Sequence, residues 1–175
     1  MERRRHAIVP ADPPYELVLV EPEIPPNTGN VARLCACTGA KLHLVCPLGF
    51  SLTDKDLRRA GLDYWERVHA RTWSSLEEFE TAFDLAGAGR SRVHLFTANA
   101  ARTHVEAAFR PGDVLVFGRE SRGLPEGLLE RYADRTVALP MLAGSRSLNL
   151  ASSAAVALYE ALRQSGALDR SGGSC

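Results

Sequence analysis

The sequence predicts an α/β fold, a mainly parallel sheet with helices on both faces. Three observations predict it. Short apolar, β-branched runs recur at residues 15–20 (YELVLV), 41–46 (KLHLVC), 93–97 (VHLFT), 114–118 (VLVFG) and 136–139 (TVAL), each of strand length. Segments of helical period lie between several of them, and strands that alternate with helices pair in parallel and are covered on both sides. Finally, 175 residues suffice for one domain that buries roughly two-thirds of its unfolded surface without disulfides or metal.

Residues 1–14 carry Arg3-Arg4-Arg5 and three prolines without a hydrophobic period, which predicts a flexible arm. The single domain is expected over 15–165, and a flexible tail over 166–175. The first strand stops at Pro22, Pro25 and Pro26, which cannot continue a ladder. A helix follows, with Asn27 as its expected cap, Val31, Leu34, Cys35 and Thr38 as its inward stripe, and Gly39 as its end. Asn30 and Arg33 share a different face, and the backbone N–H groups of 27–30 are expected to be free at the helix start. The second strand ends at Pro47, and 53–60 reads as a short charged helix. Residues 74–85 predict a helix capped at Ser74 or Ser75, with Glu77 and Glu78 in its first turn. A short helix is expected over 125–133 with proline in its first turn. The last helix begins around 147–149, and Leu150, Ala154, Ala157, Leu158 and Ala161 mark its buried face.

Formal net charge is zero, with 21 basic and 21 acidic residues, which argues against a domain that holds nucleic acid by bulk charge alone. All basic residues but Lys41 and Lys55 are arginine, the better side chain for bidentate phosphate contacts. The four cysteines include no C-x-x-C pair and the histidines have no metal-ligand spacing, so reduced, packed thiols and no metal are expected. No apolar run reaches the roughly 18 residues of a membrane span, and the first thirty residues lack the apolar core of a secretory signal. A cytoplasmic protein is expected.

The common nucleotide signatures, G-x-G-x-x-G after the first strand and G-x-x-x-x-G-K-[ST], are missing, as is a G-x-S-x-G elbow. Ligands of open parallel sheets bind beyond the carboxyl ends of the strands. Three polar, glycine-containing segments sit at such ends: PPNTGNVAR at 25–33, FGRESRGLP at 117–125 and LPMLAGSRSLNL at 139–150. In the first, helix-start N–H groups and the Arg33 fork suit an anion. In the second, two glycines bracket a charged cluster.

In that order and spacing, NTGNVAR, FGRESRGLP and SRSLNL resemble the three motifs of the SPOUT class of RNA methyltransferases. The strings EPEIPPNTGNVARLCACTGAKLHLVCPLGF and LRRAGLDYWE are similar to those of the small stand-alone tRNA wobble-nucleotide 2′-O-methyltransferases. The resemblance runs from about Leu17 to Gln164. It implies a C-terminal part threaded as a deep trefoil knot, a homodimer, S-adenosylmethionine bound in the knot with S-adenosylhomocysteine as product, and tRNA as substrate. Cytidine or uridine 34 would be methylated on its ribose.

Carried over by motif, Phe96, Thr97, Gly118, Leu139, Met141, Ser147, Leu148 and Asn149 are expected around the cofactor, and Arg33, Glu120, Ser147 and Asn149 at the chemistry. Asn30, Arg33, Arg58, Arg59 and Tyr64 are expected on RNA. For Tyr64 and Trp65, packing in the core or a dimer interface weighs about equally with base stacking. The implied reaction is an in-line displacement in which the ribose 2′-oxygen attacks the sulfonium methyl. A guanidinium stays protonated to roughly pH 12, so Arg33 is expected to clamp and stabilise, while the proton acceptor stays open. One departure stands out: where relatives commonly read N-L-S-N, this chain has Asn149-Leu150-Ala151-Ser152. Two other readings stay open, a related enzyme for another tRNA position or ribosomal RNA, and a knotted RNA-binding protein without turnover.

Overall fold

A computed structural model describes residues 7–51 and 68–168. Among these, six parallel strands form one sheet in the order β3-β2-β1-β5-β4-β6. In chain order they are β1 Glu16–Val20, β2 Lys41–Val45, β3 Ala70–Trp73, β4 Val93–Phe96, β5 Val114–Phe117 and β6 Thr136–Val137. The helices are α1 Pro25–Thr38, α2 Leu76–Ala82, α3 Glu126–Arg131 and α4 Leu150–Gln164. Short 3₁₀ turns at Ala88–Arg92 and Ala133–Arg135 lead into β4 and β6.

Period-2 alternation divides the apolar side chains between two cores. Leu17, Leu19, Leu42, Leu44, Leu115 and Phe117 face α1 and α4 on one side. Val18, Val20, Val45, Val114 and Val116 face α2 and α3 on the other. The expected stripe of α1 is present: Val31, Cys35 and Thr38 are buried, and Leu34 packs partly against the same core. Gly39 takes a left-handed φ of 78° and its N–H returns to the Cys35 carbonyl, the conformation for which glycine ends a helix without Cβ strain. The small residues Ala154, Ala157 and Ala161 let α4 lie close to α1 and the sheet. The Tyr15 hydroxyl adds a buried hydrogen bond of 2.9 Å to the Ala161 carbonyl.

Several expectations shift. Asn27 is not the cap of α1. That position is Ile24, and Pro25 and Pro26 occupy the first two helical positions, where their missing N–H groups cost nothing. Nor are the following N–H groups free: those of Asn27 and Thr28 donate to the Ile24 carbonyl. The helix expected over 74–85 spans Leu76–Ala82, with Ser75 accepting from the Glu78 N–H while Glu78 reaches back to Ser74, a reciprocal cap. The helix expected over 125–133 covers Glu126–Arg131. Strand β3 is an element the sequence does not predict, because Arg71 and Thr72 are exposed and only Trp73 carries a full apolar burial signal. The Trp73 indole donates to His43 Nδ1, which leaves the proton of that ring on Nε2, 2.8 Å from Glu16. The described part of the expected arm is held to the domain: the Val9 N–H donates to the Ala167 carbonyl, and Ile8 and Ala11 pack on the core. The helix expected over 53–60 lies outside the described residues, as do Arg3–Arg5.

Candidate active site

The sheet order reverses direction at β1 and β5, since the chain runs outward from β1 to β3 on one side and fills β5, β4 and β6 on the other. A crevice opens at such a switch point beyond the strand ends. Here it is a cleft of about 740 Å³ lined by residues from all three polar segments. Phe96 and Thr97 reach it from the end of β4, Phe117 and Gly118 from β5, Leu139 and Met141 from the chain after β6, and Ser147, Leu148 and Asn149 from the approach to α4. All eight positions expected around the cofactor therefore line one cavity.

Its floor is aromatic. The rings of Phe96 and Phe117 stack with centroids 4.7 Å apart and planes 15° apart, and Phe109 continues the stack beneath Phe96. One wall is bare backbone. A Cβ on Gly118 would sit 2.0 Å from the Gly123 carbonyl carbon, so only glycine lets residues 118 and 123 pass each other. The intervening turn is closed by paired hydrogen bonds between Arg119 and Gly123.

That turn is fastened to the chain after β1. Glu120 accepts hydrogen bonds from the Glu23 N–H at 2.8 Å, the Ile24 N–H at 3.3 Å and the Asn27 amide at 2.9 Å. In return the Glu23 carboxylate accepts from the N–H and hydroxyl of Ser121. Arg119 pairs with Glu21, a non-glycine residue at a left-handed φ of 52° that turns the chain out of β1. Such a conformation costs of order 1 kcal/mol and persists where neighbours hold it. The helix start that the sequence offered to an external anion is thus served by the protein's own Glu120.

Asn149 links the third segment. Its carbonyl oxygen accepts from the Ala151 and Ser152 N–H groups and caps α4, while its amide donates to Asn27 at 2.8 Å. The departure at Ala151 and Ser152 leaves this cap intact, because it uses only their backbone. Ser153 lines the cleft and supplies a hydroxyl there, whereas Ser152 is exposed. Glu120 and Asn149, both expected at the chemistry, are therefore engaged in holding the cleft's walls together. Arg33 and Asn30 lie on the exposed side of α1, outside the lining of the cleft, and Arg58, Arg59 and Tyr64 lie outside the described residues. Sequence reasoning missed Ile24, Glu23 and the bridging role of Asn27. The signal for the last was an asparagine behind two prolines, too far inside the helix to cap it.

No group of three side chains among the described residues could hold a metal ion, and no helix among them is long and apolar enough to cross a membrane.

Residues 14–159 match the family model described as the SpoU rRNA methylase family. A protein of Methylovorus glucosotrophus named tRNA (cytidine(34)-2′-O)-methyltransferase is 54% identical over 86% of this chain and 95% of its own. Its counterpart of the same name in Burkholderia pseudomallei is 50% identical over 87% and 96%. A solved structure, described as giving structural insights into the 2-OH methylation of C/U34 on tRNA, superposes with a TM-score of 0.78 at 51% identity, covering 86% of this chain and 95% of that one. The fold also matches a SpoU methyltransferase of Streptomyces viridochromogenes in complex with AdoMet, with a TM-score of 0.73 at 23% identity over 92% of this chain and 59% of that one. With a family match across most of its length and relatives at half identity over nearly their whole chains, the protein belongs to the SpoU methylase family.

Proposed function

We propose that the protein transfers a methyl group from S-adenosylmethionine to the ribose 2′-oxygen of the wobble nucleotide, cytidine or uridine 34, of tRNA, releasing S-adenosylhomocysteine. The observation that carries this reading is the convergence of the three motif segments on one cleft at the switch point of the sheet. The names of relatives at about half identity supply the substrate.

The residues present fit the cofactor. Stacked Phe96 and Phe117, with Leu139 and Leu148, offer flat apolar surface to an adenine, and the backbone around Gly118 leaves polar groups to read its edge. When bound, the cofactor supplies a methyl group made electrophilic by its sulfonium. The chain's contribution is positional, and a well-oriented pair of reactants is worth on the order of 7 to 11 kcal/mol. Arg33, on the exposed face of α1, clamps the ribose and its phosphate and stabilises charge at the 2′-oxygen. Arg122 and Arg146, exposed at the rim, suit RNA phosphates, and Ser147 suits a polar group of either ligand. The family resemblance adds Arg58, Arg59 and Tyr64, which lie outside the described residues, as further tRNA contacts.

The working unit is a homodimer in the cytoplasm, with the chain around the cleft threaded as the trefoil knot the family implies. Exposed Val156 and Tyr159, one turn apart on α4, support a paired face. Nucleoside mass spectrometry of unmodified tRNA incubated with the protein and labelled S-adenosylmethionine tests the assignment. Label on the ribose of residue 34 supports it, and label elsewhere overturns it.

A further inference from the structure

We propose that Asn27 is a positioning residue for methyl transfer. Its carboxamide sets the turn 119–123 and the start of α4, the two walls of the cleft, against α1, the helix that carries Asn30 and Arg33. The proposal rests on the reading of the cleft as the cofactor site.

One chain of hydrogen bonds across the cleft has a fixed polarity. The Ala151 and Ser152 N–H groups can only donate, so the Asn149 side chain must present its oxygen to them. Its amide nitrogen is thereby turned towards Asn27, which must answer with its oxygen. The Asn27 nitrogen then points the other way, to Glu120, which must accept. Backbone at the start of α4 thus fixes the orientation of two side-chain amides and requires an acceptor at Glu120, which also receives the Glu23 and Ile24 N–H groups. Asn27 is 6% exposed and is the link through which all three segments meet. No other residue type serves as well. Aspartate would accept from Asn149 but set a carboxylate against Glu120, and serine or alanine would not span the gap.

Polarity makes the link testable by reversal. In Asn27→Asp two acceptors face each other. Glu120 takes the Glu23 N–H on one oxygen and both the Ile24 N–H and the Asn27 amide on the other, so in Glu120→Gln an amide oxygen turned to Glu23 aims its NH₂ at the Asn27 NH₂, and one turned to Asn27 aims it at the Glu23 N–H. In the double variant the glutamine amide introduced at position 120 donates to the carboxylate introduced at position 27, and its oxygen still accepts from the Glu23 N–H, so that only the longer bond of the Ile24 N–H, 3.3 Å in the wild type, loses its acceptor. Asn149 still donates to the same carboxylate, so the side-chain links from position 149 through 27 to 120 are all restored with the net charge unchanged.

Four proteins, wild type, each single variant and the double, are compared by calorimetric affinity for S-adenosylhomocysteine, single-turnover methyl transfer to unmodified tRNA, and thermal midpoint. The expected result is at least a tenfold loss of affinity and rate in each single variant, measured well below its midpoint, with the double variant within about threefold of wild type in both. A double variant no better than the weaker single variant overturns the proposal. So does a loss confined to the thermal midpoint, which a merely structural link would produce. If Asn27→Asp fails to fold alone, recovery of a folded, binding-competent double variant supports the proposal and failure to recover overturns it. A wild-type protein that binds S-adenosylhomocysteine but methylates no tRNA contradicts the substrate reading, while the affinities still decide the role of Asn27.

Discussion

The Asn149 amide donates to the Asn27 carboxamide oxygen at 2.8 Å, across 122 residues of chain. Asn149 caps α4 and Asn27 sits in the first turn of α1, so this bond joins the starts of the two helices that pack together on one face of the sheet. Both partners of this bond line the same cleft.

Arg33 stands outside the lining of the cleft, so its removal should separate chemistry from cofactor binding. Arg33→Ala is expected to lower methyl transfer by at least a hundredfold while S-adenosylmethionine affinity changes less than twofold. Single-turnover rates alongside equilibrium titration measure the two. An unaltered rate contradicts the clamp.

Gly118 is expected to tolerate no side chain. Gly118→Ala places a methyl 2.0 Å from the Gly123 carbonyl carbon and 2.2 Å from the Leu124 nitrogen, both backbone atoms that cannot rotate away. A cost of about 3 kcal/mol in stability, of the size of core overpacking, should accompany loss of cofactor binding. Gly127→Ala on α3, whose nearest neighbour is the flexible Arg131 side chain at 3.5 Å, should instead stabilise by roughly 0.5 to 1 kcal/mol. Denaturant unfolding of the two variants is the comparison.

Tyr15→Phe removes one oxygen and leaves the Ala161 carbonyl without that donor. The expected loss is about 1 to 2 kcal/mol with methyl transfer retained, since the bond lies away from the cleft. Urea midpoints at constant slope check it.

Acid should weaken the fold in two stages. Burial holds the His94 imidazole below its ordinary 6.5, outweighing the hydrogen bond to Asp113 that favours the proton. An unfolded chain takes up that proton near 6.5 and the folded one only lower, so the contribution of His94 is present above about 6.5 and is lost as pH falls through the folded value. For Glu16, burial pushes the carboxyl up, but the hydrogen bond from His43 and the charges of Lys41 and Arg92 bring it below 4.5. Its contribution is present above that value and is lost at lower pH. In thermal scans from pH 7.5 to 5, His94→Gln should show a flatter loss of midpoint than wild type; an equal slope contradicts the assignment.

Strands with a strong apolar signal were legible in the sequence. YELVLV and VLVFG carry it on both faces, because parallel strands between two helical layers are buried on both. Strand β3 was not, since it is short and two of its residues face solvent. Each motif segment was also legible, and the cleft contains the positions expected around the cofactor. What the sequence could not express was reciprocity. Asn27 looks like a cap until Pro25 and Pro26 are placed inside the helix, and Glu120 looks like a free acid until the Glu23 and Ile24 N–H groups are found against it. Hydrogen bonds between residues more than ninety positions apart leave no local period to read.

The activity proposed for this cleft is methylation of the wobble ribose. Its most direct test is nucleoside mass spectrometry with fragment mapping of unmodified tRNA after incubation with the protein and labelled S-adenosylmethionine. One labelled methyl is expected on the 2′-oxygen of residue 34, at least a hundredfold slower to appear with Arg33→Ala. Label on another nucleotide, on a base, or on no RNA at all would contradict it.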